Sequence, residues 1–222
     1  MKFVSLVAIS LFLSLSACSW VKPHEKLAQD EAQKVGLTAI KKPHFDASFA
    51  SPAVNFSQYK KAILQDLDLS SVKVIYPTNL NHMDGPWVLN DSDKQYYQEK
   101  YRDSAKKKLF DSGLYLQSST AAVDTLIVKA KITEIAPLGS KDDMYGRPVQ
   151  MDVYTRGFGR MTIVFEVYDS LTNKLVAITT DEHDLGQMWE KNDRVQNNVQ
   201  IKLAFEFWLQ NMKDELSSLS KG

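Results

Sequence analysis

A single cysteine, Cys18, stands in a chain of 222 residues. One thiol makes no internal disulfide, so the fold must be held by its core. The chain also lacks any excess of charge. Its 27 basic and 27 acidic residues balance, which removes the electrostatic case for nucleic acid as a partner. Histidine is sparse: His24, His44, His82 and His183 are scattered along the sequence. No G-x-S-x-G elbow is present, and nothing sets a nucleophile beside a base and an orienting group. Gly157-Phe158-Gly159 lacks the third glycine and the following helix of a dinucleotide loop, and so reads as a bulge or the start of a strand. These absences lead us to expect no catalytic residue, no cofactor and no metal site.

What is there begins at the N-terminus. Lys2 supplies a positive charge, and an apolar stretch from Phe3 to Leu15, interrupted by serines, follows it. That stretch is shorter than the roughly 20 apolar residues of a bilayer-spanning helix, and it has the layout of a secretory signal. Leu15-Ser16-Ala17-Cys18 resembles the lipobox of bacterial lipoproteins. The resemblance implies cleavage before Cys18 and acylation of its thiol and its freed amino group. One acyl chain binds a membrane marginally, whereas two or more anchor it stably. Ser19 follows Cys18, and a residue other than aspartate there resembles the sorting signal for the outer membrane rather than the inner one. We therefore expect a signal peptide over residues 1–17, a lipidated tether over 18–55, and a periplasmic domain over 56–222.

Within the tether, Glu25 to Val35 reads as a short helix stopped by Gly36, and Pro43 and Pro52 then suggest an irregular run. Farther on, Tyr59 to Leu67 reads as a strand or a helical turn, and Val72 to Tyr76 as a strand. Asp91 to Ser112 has apolar residues at four-residue spacing (Tyr97, Tyr101, Ala105, Leu109), with Asp91 or Ser92 as its cap. Gly113 suits the left-handed position that ends such a helix. Leu114 to Gln117 reads as a short strand.

Thr125 to Ile135 alternates, with Val128, Ala130 and Ile132 on one face and Lys129, Lys131 and Thr133 on the other. Arg160–Tyr168 and Leu175–Thr180 flank the turn residues Asp169–Lys174 as a hairpin. Asp193 caps a final helix to about Leu219, with Ile201, Phe205, Trp208, Met212 and Leu216 as its inner stripe. This order predicts an α+β two-layer sandwich, with one mostly antiparallel sheet covered by two long helices.

Three stretches then carry a family resemblance: Phe56 to Ala62 (FSQYKKA), Leu126 to Pro137 (LIVKAKITEIAP) and Gly159 to Asp181 (GRMTIVFEVYDSLTNKLVAITTD). They resemble a bacterial lipoprotein family known as domain of unknown function 3313. The resemblance implies no activity, substrate or catalytic residue. Asn173 departs from the family pattern, standing where a glycine is expected in the turn. The arrangement also resembles the periplasmic domains of outer-membrane accessory lipoproteins.

The densest set of possible metal ligands is Asp181-Glu182-His183-Asp184. Neighbours on an extended chain point to opposite faces, so at most two ligands converge there, which is short of a site. Aromatic and arginine residues in loops are better candidates for partner contact. Trp87 in the loop 79–89, and Tyr145, Arg147, Arg156 and Phe158 in the connection 138–158, are the residues we select. The expected function is a non-enzymatic envelope lipoprotein, held to the membrane by its lipid, that binds a protein partner or itself. A small-molecule or lipid carrier with a pocket between helices and sheet is the alternative. A metal-dependent enzyme built on His183 is the third reading.

Overall fold

The computed structural model describes residues 21–75, 87–138 and 154–221. Helix α1 spans Pro23–Lys34, begins with a proline at its first position, and ends at Gly36 in the left-handed region. Strands β1 (Thr38–Ala39) and β2 (Ala47–Ala50) form a hairpin. Strands β3 (Lys61–Leu64) and β4 (Lys73–Val74) follow, then α2 (Asp91–Ala105), which runs into a wider π turn over Lys106–Phe110. Next come β5 (Leu116–Gln117), β6 (Thr125–Pro137), β7 (Tyr154–Arg156), β8 (Gly159–Asp169), β9 (Leu175–Asp184), β10 (Trp189–Lys191) and α3 (Arg194–Leu219).

Eight strands make one sheet in the order β1-β2-β9-β8-β6-β3-β5, with β4 also pairing β6. Strands β1 through β6 along that path are antiparallel, whereas β3, β4 and β5 join in parallel. The sheet is therefore mostly antiparallel, as expected, with a short parallel part at one edge. The parallel part follows from α2, which carries the chain back between β4 and β5.

The alternation expected in β6 holds from Leu126 to Ile132. A register shift between Ile132 and Glu134 then turns Ile135 to the buried side. On that side Leu126, Val128, Ala130, Met161, Ile163 and Phe165 meet the inner faces of α2 and α3 in one core. Rings fill the gap between helices and sheet. Phe205 lies within 6.2 Å of Tyr97 and Tyr101, and 5.8 Å from Trp208. Helix α1 packs on the opposite face, where Ala28, Ala32 and Leu37 bury Val164 and Ile178. The two-layer expectation thus acquires a partial third layer.

The stretch read as a tether is corrected from Pro23 onward. Strand β2 pairs Ala47–Ala50 with Ala177–Thr180 of β9, and Phe45 is buried against Phe165. The prolines lie outside the paired residues, in the β1–β2 turn and just after β2, so they do not prevent it. The pairing covers what would be an open strand edge.

Local chemistry sets the other boundaries. Asn90, not Asp91 or Ser92, caps α2. Its Oδ1 accepts from the Asp93 amide at 3.0 Å, and Asp93 Oδ2 accepts from the Asn90 amide at 2.8 Å, a reciprocal capping box. Asn90→Ala is expected to lower stability by about 1 kcal/mol in urea unfolding. In the β8–β9 turn, Asp169 Oδ1 accepts from the Leu171 and Thr172 amides, and Asn173 takes φ +52°. Asparagine tolerates that left-handed geometry, which accounts for its place in the turn. Tyr59 donates its hydroxyl to Asp169 at 2.8 Å and ties the family's opening segment to its hairpin.

Candidate interaction surface

At one end of the sheet a chain of polar groups, running from buried Asp181 out to the surface at Asp46 and Lys22, joins four elements. Asp181 of β9 accepts from Trp208 Nε1 of α3 at 2.8 Å and from the Asp46 amide at 3.0 Å. Asp46, at the foot of β2, accepts from Lys22 Nζ at 3.0 Å and shares a 2.9 Å contact with His24 Nε2. Lys22 also lies 3.6 Å from Glu182. Burial works to raise the Asp46 carboxyl, but the bonds from Lys22 and His24 outweigh it and hold that carboxyl below its usual value. Asp181 shows the opposite balance. Its burial, assisted by the charge of Asp46, pushes it up to about 6. The group is a clamp: it fastens the start of α1 to the sheet.

His24, Glu25 and Asp46 offer ligand atoms within 4.8 Å of one another. Asp46 is nevertheless already satisfied by an ammonium and an imidazole, so the position a cation would take is held by Lys22. The Asp181–Asp184 run divides as its alternation predicts. Asp181 and His183 face α3, with the His183 ring stacked 4.4 Å from Phe207. Glu182 turns toward Lys22 and toward Arg160, which donates to it at 3.2 Å. A shallow depression of about 140 Å³ on the sheet's other face is lined by Asp66, Asp68, Lys129, Lys131 and Glu166. Small-molecule pockets usually measure about 300–1,000 Å³ and are mostly apolar.

The exposed apolar surface lies elsewhere. Strands β7 and β10 form a separate two-stranded ribbon, with Trp189 opposite Arg156 and Lys191 opposite Tyr154. Met188 and Trp189 are 71% and 73% exposed. Beside the ribbon, α3 carries a second apolar stripe on its outer side, Val195, Val199 and Leu203, four residues apart and all exposed, which runs on to Phe207, a ring half-exposed and covered on one face by His183. A soluble helix normally keeps one polar face, and a grouped exposed patch marks an interaction site where single exposed apolar residues do not.

Two glycines fix how the ribbon leaves the sheet. Gly157 and Gly186 both have positive φ, and a β-carbon on Gly157 would sit 2.1 Å from the Gly186 carbonyl oxygen. Only glycine permits that approach. The Gly157 amide donates to the Met188 carbonyl at 3.1 Å, and Arg156 Nε donates to the Gln187 carbonyl at 3.1 Å.

Of the residues selected from sequence, Arg156 is exposed on β7. Trp87 and Phe158 are corrected: they are 6% and 2% exposed and pack on each other at 5.9 Å. Both belong to the core, where they join the cluster between the helices and the sheet. Cys18, Tyr145 and Arg147 lie outside the described residues. The outer stripe of α3 was overlooked, although its four-residue spacing is visible in the sequence.

Among the described residues, the fold and surface define a mixed α+β domain with one large sheet, three α-helices and an exposed apolar ridge. The chain belongs to the family described as "Protein of unknown function (DUF3313)", whose family model matches residues 26–212. No curated protein matches it. Among solved structures it is similar to a minor lipoprotein from Acinetobacter baumannii at 14% identity, covering 72% of this chain and 94% of that one, with a TM-score of 0.39. It is also similar to a Xanthomonas campestris protein of family DUF330 at 10% identity, covering 76% and 93%, with a TM-score of 0.43.

Proposed function

We propose that the protein is a lipoprotein of the bacterial envelope, fixed through Cys18 to the periplasmic face of the outer membrane, and that it is a non-enzymatic binding or assembly factor. The lipobox supports the anchor. Among the described residues no helix is long and apolar enough to cross a membrane, so the lipid is the attachment we assign. The observation that carries the binding role is the outer stripe of α3, in which Val195, Val199 and Leu203 are exposed on a helix whose inner face is already buried. The clamp supports the non-enzymatic reading, since its carboxylates are committed to structural bonds. The partner is an envelope protein or a second copy of this chain.

Two measurements test this. Labelled palmitate should enter the wild-type chain and be lost in Cys18→Ser, with the protein moving to the soluble fraction. A photo-cross-linking residue at Leu203 should give a discrete protein adduct in intact cells, whereas one at Lys174, in the β8–β9 turn, should not. Equal yields at both positions, or none at either, would remove the stripe as a binding site.

A further inference from the structure

We propose that the β7–β10 ribbon is a membrane foot, with Trp189, Met188 and Tyr154 seated in the headgroup–acyl boundary of the bilayer that holds the lipid anchor. The inference rests on the anchored reading above and assigns the partner of the ribbon, leaving the α3 stripe for protein.

Position is the first argument. Lys22 is held to Asp46 at 3.0 Å and to Glu182 at 3.6 Å, at the end of the sheet where β9 finishes. Cys18 precedes Lys22 by four residues, and four extended residues reach at most about 14 Å. With α1 docked, no long leash remains, and this end of the sheet must stay close to the bilayer. The ribbon leaves from the same end. Asp184 of β9 pairs with Arg160 of β8, and the chains continue past that pair through Gly186 and Gly157 into β10 and β7.

Chemistry is the second argument. Tryptophan and tyrosine concentrate at membrane–water interfaces, where the ring is shielded and its polar edge stays wet. Methionine adds flexible apolar bulk. Arg156, directly across from Trp189, places a cation at the depth of anionic headgroup oxygens. In water, a tryptophan and a methionine each more than two-thirds exposed gain nothing from their position.

Rigidity is the third argument. The glycine pair and the two bonds to the Gln187 and Met188 carbonyls hold the ribbon in one orientation, so the residues that enter the boundary are ordered before they arrive.

The test uses residues 18–222. In the lipidated protein on phosphatidylethanolamine–phosphatidylglycerol vesicles, shallow brominated acyl chains should quench Trp189, read as the difference between wild type and Trp189→Phe. An unquenched difference, with the chain still floating with vesicles, overturns the foot and leaves the anchor intact. In a second arm the chain carries Cys18→Ser and no lipid. It should partition onto the same vesicles about tenfold more strongly than the Cys18→Ser chain that also carries Met188→Ser and Trp189→Ser. Success here with no palmitate on the wild-type Cys18 would uphold the foot and sink the anchored reading. Equal partitioning overturns the foot. A Trp189→Cys chain that forms a disulfide dimer on vesicles also overturns it, because the ribbon would then face a second copy.

Discussion

Trp208→Ala is expected to lower unfolding stability by about 3–5 kcal/mol, the usual cost of emptying a large aromatic site in a core. Trp208 has no solvent exposure. Its ring lies 5.8 Å from Phe205 and 5.9 Å from His183, so one side chain joins the helix core to the end of β9. The substitution also removes the Nε1 donor from Asp181 Oδ2, leaving a buried carboxylate with the Asp46 amide alone. Trp208→Phe separates the two effects. It keeps most of the apolar volume and loses only the donor, so it should cost about 1–3 kcal/mol for the unmet acceptor. Urea unfolding gives both values. A Trp208→Phe chain as stable as the wild type would mean that the bond to Asp181 contributes nothing to stability.

Much of the folded domain was legible because its patterns were local. The β8–β9 hairpin follows from the turn residues Asp169–Lys174, and α3 from Asp193 and the stripe from Ile201 to Leu216. What was not legible depended on contacts distant in sequence. The segment from Pro23 to Ala50 has little strand propensity, with a proline on either side of β2, and it is ordered by the edge of β9 more than a hundred residues away. The stripe of α3 likewise includes Glu215, a charge that reads as solvent-facing. It is buried, and its Oε2 accepts from the His44 amide at 2.9 Å.

The interaction surface shows the same limit in a different form. Trp87 and Phe158 were selected as large aromatics in loops, whereas Trp189 was not, though by residue type and nearby glycine the three are alike. Direction separates them. Trp87 and Phe158 stack under the sheet's end, and Trp189 stands outside it. The arrangement at Gly157 and Gly186 decides this by turning both strands of the ribbon away from the core, and no spacing rule encodes such a pair of turns. The closeness in sequence of Cys18 to the clamp was hidden for a related reason. While residues 18–55 read as a tether, the anchor had reach. Once α1 docks, the residues from Pro23 onward belong to the folded domain, and on the anchored reading proposed above only residues 19–21 separate Cys18 from the clamp at Lys22.

The clamp also makes stability depend on pH in a defined direction. Asp181 titrates at 3.8 when exposed and is pushed up to about 6 in the fold, by burial first and by the neighbouring Asp46 charge, against the bonds from Trp208 and the Asp46 amide. Between those values the folded chain holds a proton that the unfolded chain has released. Stability from this group therefore falls as pH rises from about 4 to about 6, and above that range the ionised carboxyl carries a cost of about 3 kcal/mol. Asp46 is shifted the other way and titrates below 3.8, outside the window. His183 is held below 6.5 by burial, with Asp184 opposing. As pH falls through that range the unfolded chain gains a proton that the fold resists, so His183 opposes the trend of Asp181. The measurement must therefore be a difference. Wild type minus Asp181→Asn cancels the histidine, because both chains carry it. That difference in unfolding free energy should fall by up to about 3 kcal/mol between pH 4 and pH 7.5. A flat difference would mean that Asp181 is ionised throughout, and that the clamp holds a charged carboxylate at no cost.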